Sequence, residues 1–384
     1  MSQAIKPSIK FGVVGLGQCG GNLTEEFYLK GYACLCLNSS RTDLRAVKIP
    51  TEKQFYVGLK GRDGAGQDMD LGRIYLERNA KKVLDIAMQE LLDVEHLIVT
   101  AGLGGGTGSN AGKLVEILSE LDKPITVICT LPWDGEGSIS KVNAMKGLDA
   151  LIHSPVESLI IIDNQKIRIQ SSTRNPAEFY RSSNRFLVDI FDRMNRISRG
   201  TQYTPLLGFG SEDLRQLFMT KGVFLFGEII LTREDLKSGG VLLERLKEVW
   251  DKGGFLTSGF DLSQASAAAV ILLAPQEVLA QTSAKDFEVF TGGVKDLVSS
   301  CAIYNGIFMT RPGDDARLFA ILCGLPLPAR VDSVLRQAKS EGKMLSMKIT
   351  TGLQELDLSG LDDINIFQGR KHKASGRQVD SAAE

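Results

Sequence analysis

The sequence predicts an α/β protein made of a parallel-sheet domain, a long central helix and a second α/β domain. In the first half, short runs of β-branched residues alternate with segments whose apolar residues recur at helical spacing, as in a parallel sheet covered by helices. Residues 176–199 then carry apolar side chains along one side of a single long helix. From residue 222 to residue 327, apolar runs are again separated by helix-like stretches, which predicts the second domain.

The composition is that of a folded protein of 384 residues, with 43% hydrophobic and 24% charged residues. This length is sufficient for two packed domains. The net charge of -1 provides no global basic field for nucleic acid or membranes. No CxxC or Cys/His cluster occurs, so we expect reduced thiols in a cytoplasmic protein. No run approaches the roughly 20 apolar residues of a membrane span, so we expect a soluble protein. The three histidines lie near no Ser or Cys in a nucleophile-like setting, which argues against triad chemistry.

Five strands alternate with helices in the first half of the chain. We predict the strands at residues 11–15, 33–37, 96–100, 125–130 and 158–162. We predict the helices between them at residues 22–30, 74–92, 111–121 and 139–152. This succession of βαβ units is typical of sheets that bind a dinucleotide or a mononucleotide.

The second half continues the alternation at wider spacing. Its apolar runs occupy residues 222–231, 267–274 and 316–325, and its helix-like stretches occupy residues 240–252, 284–300 and 331–341. From residue 357 the composition is polar and small, which predicts a disordered tail. The predicted division is 1–175 for the first domain, 176–205 for the central helix and linker, 206–327 for the second domain, 328–356 for a C-terminal helix and extension, and 357–384 for the tail.

The first glycine-rich loop, GLGQCGGN at residues 15–22, follows a strand and precedes a helix. In that position backbone N–H groups and a helix N-terminus can receive phosphate oxygens. Its GxGxxG pattern alone leaves a dinucleotide site, another phosphate site and a tight turn open. A dinucleotide site expects an acidic residue at the end of the second strand, where this chain has Asn38, Ser39 and Ser40.

The second glycine-rich loop, AGLGGGTGSNAG at residues 101–112, also lies between a strand and a helix. Glycines let consecutive amides point at one anion, and Thr107 and Ser109 add hydroxyl donors. Two such loops indicate a polyphosphate ligand. No lysine occurs between Lys82 and Lys113, which excludes a Walker A loop here. The alternative of a flexible linker is less typical of a loop directly between an apolar strand and a helix.

The pairing of GQCGGN at residues 17–22 with GGGTGS at residues 104–109 resembles the tubulin/FtsZ superfamily, over roughly residues 9–325. The resemblance implies a GTPase that binds GTP or GDP with Mg²⁺ held through the phosphates. It also implies head-to-tail homopolymers, with residues 206–327 as the GTPase-activating second domain. Within the superfamily the chain is similar to the archaeal CetZ group, and the plasmid and phage TubZ group is the other possibility.

The resemblance also implies which residues bind GTP. They are Gly17, Gln18, Cys19, Gly20, Gly21, Asn22, Gly64, Ala65, Gly66, Gly104, Gly105, Gly106, Thr107, Gly108, Glu136, Asn143, Asn164, Tyr180 and Asn184. In the family pattern, residues 64–66 sense the γ-phosphate, Glu136 contacts the ribose and Asn143 lies near the sugar or base.

The same pattern implies that Asn164 and Asn184 recognise guanine and that Tyr180 stacks on it. Tyr180 and Asn184 are one turn apart on a predicted helix and so project from one face. The alternatives are an ordinary packing aromatic for Tyr180 and a solvated polar residue for Asn184.

Catalysis in the superfamily uses an acidic loop that reaches the nucleotide of the next subunit. Here that loop spans residues 206–217, and the resemblance implies Asp213 as the catalytic acid, with Glu212 as the alternative register. Gly208 and Gly210 replace two polar positions of the FtsZ pattern, so two supporting polar groups of that pattern are missing. A cap for a helix running from Leu214 is the structural alternative for Asp213.

Two other functions stay open at the level of sequence. One is a guanine-nucleotide-binding scaffold or regulator that does not polymerise, and the other is a dinucleotide-dependent oxidoreductase. In the tail, LDDINIF is followed by a basic cluster and is similar to the FtsZ peptide that docks on membrane adaptors. The cluster consists of Arg370, Lys371, Lys373 and Arg377. An adaptor site and a solvated tail without function are both possible.

Overall fold

The computed structural model describes residues 6–170, 175–197, 199, 203–252, 254–299 and 301–349. The predicted disordered tail at residues 357–384, and the adaptor hypothesis for its basic cluster, lie outside these residues.

Eleven strands and twelve α-helices occur in the described part of the chain. The strands are β1 Phe11–Leu16, β2 Ala33–Asn38, β3 Gln54–Tyr56, β4 His96–Gly102, β5 Ile125–Leu131, β6 Ser158–Asp163, β7 Thr204–Leu207, β8 Gly222–Leu231, β9 Ala267–Pro275, β10 Ala302–Thr310 and β11 Ala316–Leu325. The helices are α1 Gly17–Leu29, α2 Arg41–Ala46, α3 Met69–Glu90, α4 Ala111–Leu118, α5 Ser138–His153, α6 Asn164–Gln170, α7 Pro176–Ile197, α8 Ser211–Phe218, α9 Gly239–Lys252, α10 Gln276–Leu279, α11 Ala284–Leu297 and α12 Ala329–Ile349.

The first six strands form a parallel sheet in the order β3-β2-β1-β4-β5-β6. This is the doubly wound order, in which the chain reverses direction across the sheet between β1 and β4. Every residue of β1 and β5 is buried, as expected for strands covered by helices on both faces. Ligands of such sheets bind at the carboxyl ends of the strands beside the reversal point.

The sheet continues into the second half in the order β8-β11-β9-β10-β7. Strand β6 joins β8 through the pairs Ser158–Gly222 and Leu159–Val223. The central helix α7 packs its buried face between the two halves, where Phe191 makes edge contacts with Phe11, Phe218 and Phe226. The division of the chain into domains stays a prediction.

The structure extends the predicted elements at several points. Helix α1 begins at Gly17 instead of residue 22, because its glycines pack against the sheet: a Cβ at Gly20 would collide with the carbonyl oxygen of Thr100. Helix α6 was not predicted, and α12 is longer than predicted at both ends. Strands β3, β7 and β10 were not predicted.

Buried His96 makes the fold sensitive to acid. Its Nε2 is 2.8 Å from Thr126 Oγ1, and its ring contacts Phe11 and Phe218. Burial lowers the pKa of His96 to about 4. The unfolded chain binds this proton near pH 6.5, so the contribution of neutral His96 is complete above pH 6.5 and is lost as the pH falls toward 4.

We therefore expect His96 to account for a loss of about 2–3 kcal/mol in the free energy of unfolding between pH 7.5 and 4.5. Urea midpoints at the two pH values measure the loss, and His96→Gln is the comparison. The midpoint of this variant should fall less over the same interval. Equal falls for the two proteins would show that His96 does not carry the effect.

Candidate nucleotide-binding site

A cavity of about 480 Å³ lies at the carboxyl ends of the parallel strands, beside the reversal point between β1 and β4. Its volume is in the range of small-molecule sites. The lining residues come from seven segments of the chain. They are Leu16, Gly17, Gln18, Cys19, Asn22, Asn38, Ser39, Ser40, Asp43, Gly64, Ala65, Gly66, Gln67, Gly102, Gly104, Gly105, Gly106, Thr107, Gly108, Thr130, Pro132, Glu136, Ser140, Asn164, Tyr180 and Asn184.

One wall of the cavity is the turn from β1 into helix α1. Gly17 has φ +72, a left-handed conformation that favours glycine, and the helix begins at this residue. No side chain caps the helix at Leu16, and its first turn contains no acidic residue. The amide N–H groups at the start of α1 can therefore bind an anion in the cavity.

The opposite wall is the turn from β4 toward helix α4. A Cβ at Gly108 would collide with the carbonyl oxygen of Gly102, and a Cβ at Gly17 would lie 3.3 Å from Gly108 N. Glycine at these positions thus lets the two turns meet. The 3₁₀ turn Gly108–Asn110 and helix α4 both begin without a side-chain cap or an acidic residue in the first turn. A second set of amide donors therefore faces the same cavity.

The charge of the lining determines how an anion is held. No lysine or arginine belongs to it, and its ionisable carboxylates are Asp43 and Glu136. Backbone amides and helix dipoles are thus the positive groups of this cavity. Such a site suits phosphate groups bound by main-chain donors.

Thr107 connects the second glycine turn to the end of strand β2. Its Oγ1 lies 2.6 Å from Ser39 Oγ, and its side chain is buried at the cavity wall. Ser39 follows β2 directly, so this hydroxyl pair fixes the distance between the two strand ends.

The far end of the cavity is lined by Glu136, Asn164, Tyr180 and Asn184. Glu136 accepts a hydrogen bond from Trp133 N at 3.0 Å and another from the side chain of Asn164. Burial raises the pKa of Glu136. Burial also raises the pKa of Tyr180, aided by the charge of Glu136. This end combines an aromatic ring with amide and carboxylate groups, a set that can bind a nucleoside.

The structure brings together in this cavity all but three of the residues predicted to bind GTP. Gly20 lies behind the wall, where it allows α1 to pack closely on β4. Gly21 is buried near Val47. Asn143 is buried as well, and its Nδ2 donates to Gln67 O at 2.7 Å and Gly104 O at 3.4 Å. Asn143 thus connects two loops of the wall and does not belong to the lining.

Several lining residues are missing from the predicted set. They are Leu16, Asn38, Ser39, Ser40, Asp43, Gln67, Gly102, Thr130, Pro132 and Ser140. The sequence does indicate residues 38–40 as lining residues, because they follow the second parallel strand and therefore lie at its carboxyl end. No sequence pattern indicates Gln67 and Ser140, since their position depends on how the loop before α3 packs against the start of α5.

The predicted catalytic residues lie at the other end of the sheet. Helix α8, which carries Asp213, contacts the amino ends of the parallel strands: Arg215 Nη2 lies 3.4 Å from Ser8 O and 3.3 Å from Glu95 Oε2. Ser8 precedes β1 and Glu95 precedes β4. The cavity is at the carboxyl ends of these same strands.

The local contacts of the two candidate acids differ. Asp213 lies in the first turn of α8, which begins at Ser211, and its Oδ2 accepts a hydrogen bond from Gly210 N at 2.7 Å. It therefore caps the helix through the preceding backbone. Glu212 is 72% exposed and its carboxylate contacts Arg215 and Gln216.

The doubly wound sheet and its two glycine turns define a nucleotide-binding α/β protein. Residues 10–171 match the Tubulin/FtsZ family, GTPase domain. The matched region contains strands β1 to β6 and both glycine turns. In the described part of the chain, no helix combines the length and the apolar character needed to cross a membrane.

Relatives of two groups match most of the chain. The tubulin-like protein CetZ of Pyrococcus abyssi is 27% identical over 365 residues, which cover 90% of this chain and 96% of that protein. The tubulin-like protein TubZ of Bacillus cereus is 25% identical over 358 residues, with coverage of 85% and 82%. Both groups named by the sequence resemblance are thus found, at similar identity.

A solved structure shows the same fold over nearly the whole chain. It is the GTPγS-form protofilament of TubZ from Bacillus thuringiensis serovar israelensis, with a TM-score of 0.77, 20% identity and coverage of 89% of this chain and 95% of that one. The GTPγS-bound protofilament of CetZ2 from Haloferax volcanii gives a TM-score of 0.72 at 22% identity, with coverage of 88% and 99%. The predicted tubulin/FtsZ fold is confirmed.

Proposed function

We propose that this protein is a GTPase that binds GTP in the 480 Å³ cavity and polymerises head to tail into dynamic filaments. Hydrolysis to GDP and phosphate is completed at the junction between subunits. The observation that carries the proposal is the separation of the two parts of the site: the cavity lies at the carboxyl ends of the strands, and Asp213 lies on the helix at their amino ends.

The length of the strands supports catalysis between subunits. Strand β1 has six residues, which corresponds to about 20 Å at the usual rise per residue. Asp213 therefore cannot reach a nucleotide in the cavity of its own chain. A second copy stacked along the strand direction brings its residues 208–213 to that cavity. Such a contact is heterologous and does not close, so it generates a filament.

The nucleotide contacts follow from the lining. The amides of the two glycine turns hold the phosphates, and Glu136 at the far end of the cavity holds the ribose. Tyr180 stacks on the base, while Asn164 and Asn184 pair with the donor and acceptor edge of guanine. The Asp213 carboxylate of the neighbouring subunit orients the attacking water against the γ-phosphate, which is mainly electrostatic and positional work.

A magnesium ion fits this cavity as a partner of the nucleotide. No group of three or more His, Cys, Asp or Glu side chains suited to a metal occurs among the described residues. Mg²⁺ is commonly bound by phosphate oxygens, water and one or two carboxylates, and Asp43 in the lining is an available carboxylate. Bound in this way, the ion neutralises phosphate charge.

The test of the proposal is the GTPase rate per molecule as a function of protein concentration, with light scattering in GTP and in GDP. We expect scattering in GTP and a rate that rises above an assembly threshold. A rate that is independent of concentration, without scattering in GTP, would refute junction catalysis and filament formation.

The second candidate function is a guanine-nucleotide-binding scaffold that does not polymerise. Two observations favour it: Gly208 and Gly210 supply no polar side chains to the acidic loop, and Asp213 already accepts a hydrogen bond from Gly210 N. Saturable GTP binding without assembly is the result that this candidate predicts. The oxidoreductase alternative has no support from the family match.

The first prediction for the site is that GTP binds roughly a hundredfold more tightly than ATP. Adenine lacks the guanine donor and acceptor pattern, so the amide groups of Asn164 and Asn184 would be left unpaired. Trp133, whose backbone N–H donates to Glu136, is a fluorescent reporter beside the cavity, whereas Trp250 is buried elsewhere. Titration of this fluorescence measures both affinities, and equal dissociation constants would refute guanine recognition.

A second prediction is that Thr107→Val raises the dissociation constant for GTP about tenfold to a hundredfold. The substitution removes a hydroxyl beside the phosphates, and one hydrogen bond to a charged group is worth about 1.5–3 kcal/mol. Ser39→Ala is the matched comparison, because it breaks the same hydroxyl pair and leaves the Thr107 hydroxyl in place. Unchanged GTP affinity in Thr107→Val would show that this turn does not hold the phosphates.

A further inference from the structure

We propose that helix α12 positions the sugar and base end of the cavity, so that nucleotide affinity depends on the ion pairs that dock this helix. The inference rests on the proposed nucleotide site and adds a remote element to it. Helix α12 packs along helix α5, on the side of the first domain that carries the loops after β5 and β6.

The first ion pair joins α12 to the start of α5. Lys141 is only 2% exposed, and its Nζ lies 2.6 Å from Glu341 Oε1 on α12. The same Nζ donates to Asp134 O at 2.8 Å, and Glu341 also accepts a hydrogen bond from Ser138 Oγ at 3.3 Å. Glu341 thus neutralises a buried lysine that holds the loop after β5.

The second contact reaches both loops through Arg330, whose side chain is 11% exposed. Its Nη1 lies 2.7 Å from Asp134 Oδ1, and its Nε lies 3.2 Å from Asp163 Oδ1. Its Nη2 donates to Pro132 O at 2.9 Å. Gln337, two turns further along α12, donates to Asp134 Oδ1 at 3.1 Å.

These two loops carry the far end of the cavity. Pro132 and Glu136 line the cavity from the first loop, and Asn164 lines it directly after Asp163. Glu136 is held by Trp133 N and by the side chain of Asn164. The residues bound by α12 are therefore at most two positions from residues that line the cavity, and Pro132 is itself one of the lining residues.

The phosphate end has its own supports. Asn110 Nδ2 donates to Gly106 O at 2.8 Å and to Met69 O at 2.9 Å, and Ser109 Oγ donates to Leu103 O at 2.6 Å. Release of α12 should therefore disturb the sugar and base end far more than the glycine turns.

Removing one partner of a buried ion pair is costly, because the other charge stays buried without compensation. Without Glu341, Lys141 has to leave its buried position, and the loop that it holds moves with it. Coupling between sites is reciprocal, so a bound nucleotide should in turn favour the docked helix by the same factor. A partner that displaces α12 would thus promote nucleotide release.

The experiment compares Glu341→Gln and Arg330→Gln with Arg336→Gln, which removes a charge from an exposed position of the same helix. Three quantities are measured: the dissociation constants for GTP and for inorganic triphosphate, and hydrogen exchange of the amides of residues 133–140 without nucleotide. We expect about tenfold weaker GTP binding in the first two variants, within the usual range of coupling between sites. Exchange should be faster, and triphosphate affinity should be unchanged.

Wild-type GTP affinity and wild-type exchange in both variants would overturn the inference. An equal loss of affinity for GTP and triphosphate, or the same loss in Arg336→Gln, would also overturn it, since either result indicates general destabilisation. If the wild-type protein binds no guanine nucleotide, the proposed function itself fails. The exchange measurement then still decides whether α12 holds the loops.

Discussion

Asp213→Ala should leave GTP binding and filament assembly intact and slow GTP hydrolysis by some orders of magnitude. The nucleotide cavity of each subunit contains no atom of Asp213, so the variant should bind GTP as the wild type does. Loss of a water-orienting carboxylate raises the activation free energy of hydrolysis, and each tenfold decrease in rate corresponds to about 1.4 kcal/mol. Phosphate release and filament lifetime, measured after a pulse of GTP, report the effect.

Two further variants separate the roles of the acidic residues. Asp213→Asn keeps a hydrogen-bond acceptor for Gly210 N and removes the charge, so it should hydrolyse slowly without the capping loss of about 1 kcal/mol expected for alanine. Glu212→Ala tests the other register. Whichever variant gives stable, non-hydrolysing polymers identifies the catalytic acid. Wild-type hydrolysis in both alanine variants would exclude this loop from catalysis.

Gly72→Ala should weaken nucleotide binding severely and raise the dissociation constant for GTP on the order of a hundredfold or more. A Cβ at Gly72 would collide with the carbonyl oxygen of Gly106 and approach Asn110 Nδ2 to 2.8 Å. Helix α3 would then be forced away from the second glycine turn. Alanine is the better helix former by about 1 kcal/mol, so any loss comes from this contact and not from helix propensity.

Gly292→Ala is the matched control for this substitution. Gly292 also lies within a helix, α11, but a Cβ there has no atom within 4 Å. We expect unchanged GTP affinity and a slightly higher unfolding midpoint. Binding of GTP by Gly72→Ala with wild-type affinity would mean that α3 and the turn can separate without effect on the site.

The central part of the fold could be predicted because its pattern is local. Strands β1, β4 and β5 consist mainly of apolar and β-branched residues, and the glycine turns follow β1 and β4 directly. Strands β3 and β7 have three and four residues, too few for a periodic pattern. They form because neighbouring strands offer an edge for pairing, and this depends on the whole sheet.

For the candidate site too, the sequence indicates the residues that belong to a local motif and misses those that depend on distant contacts. Residues of the glycine turns are adjacent in sequence, so the motif locates them together. The position of Asn143 behind the wall depends on contacts with Gln67 and Gly104, which lie 76 and 39 residues away. Likewise, the distance between Asp213 and the cavity results from the packing of Phe218 against Phe11, which no local pattern indicates.

A cavity whose phosphate end has amide donors and no lysine or arginine has a simple chemical consequence. Amide N–H groups carry no proton that titrates in water near neutrality, so their ability to attract an anion does not change with pH. Phosphate binding by these amides should therefore be unaffected by acidification as long as the fold persists. Any acid response of nucleotide exchange has to arise from the ionisable side chains of the lining, such as Glu136, whose pKa is raised by burial, or from the nucleotide itself.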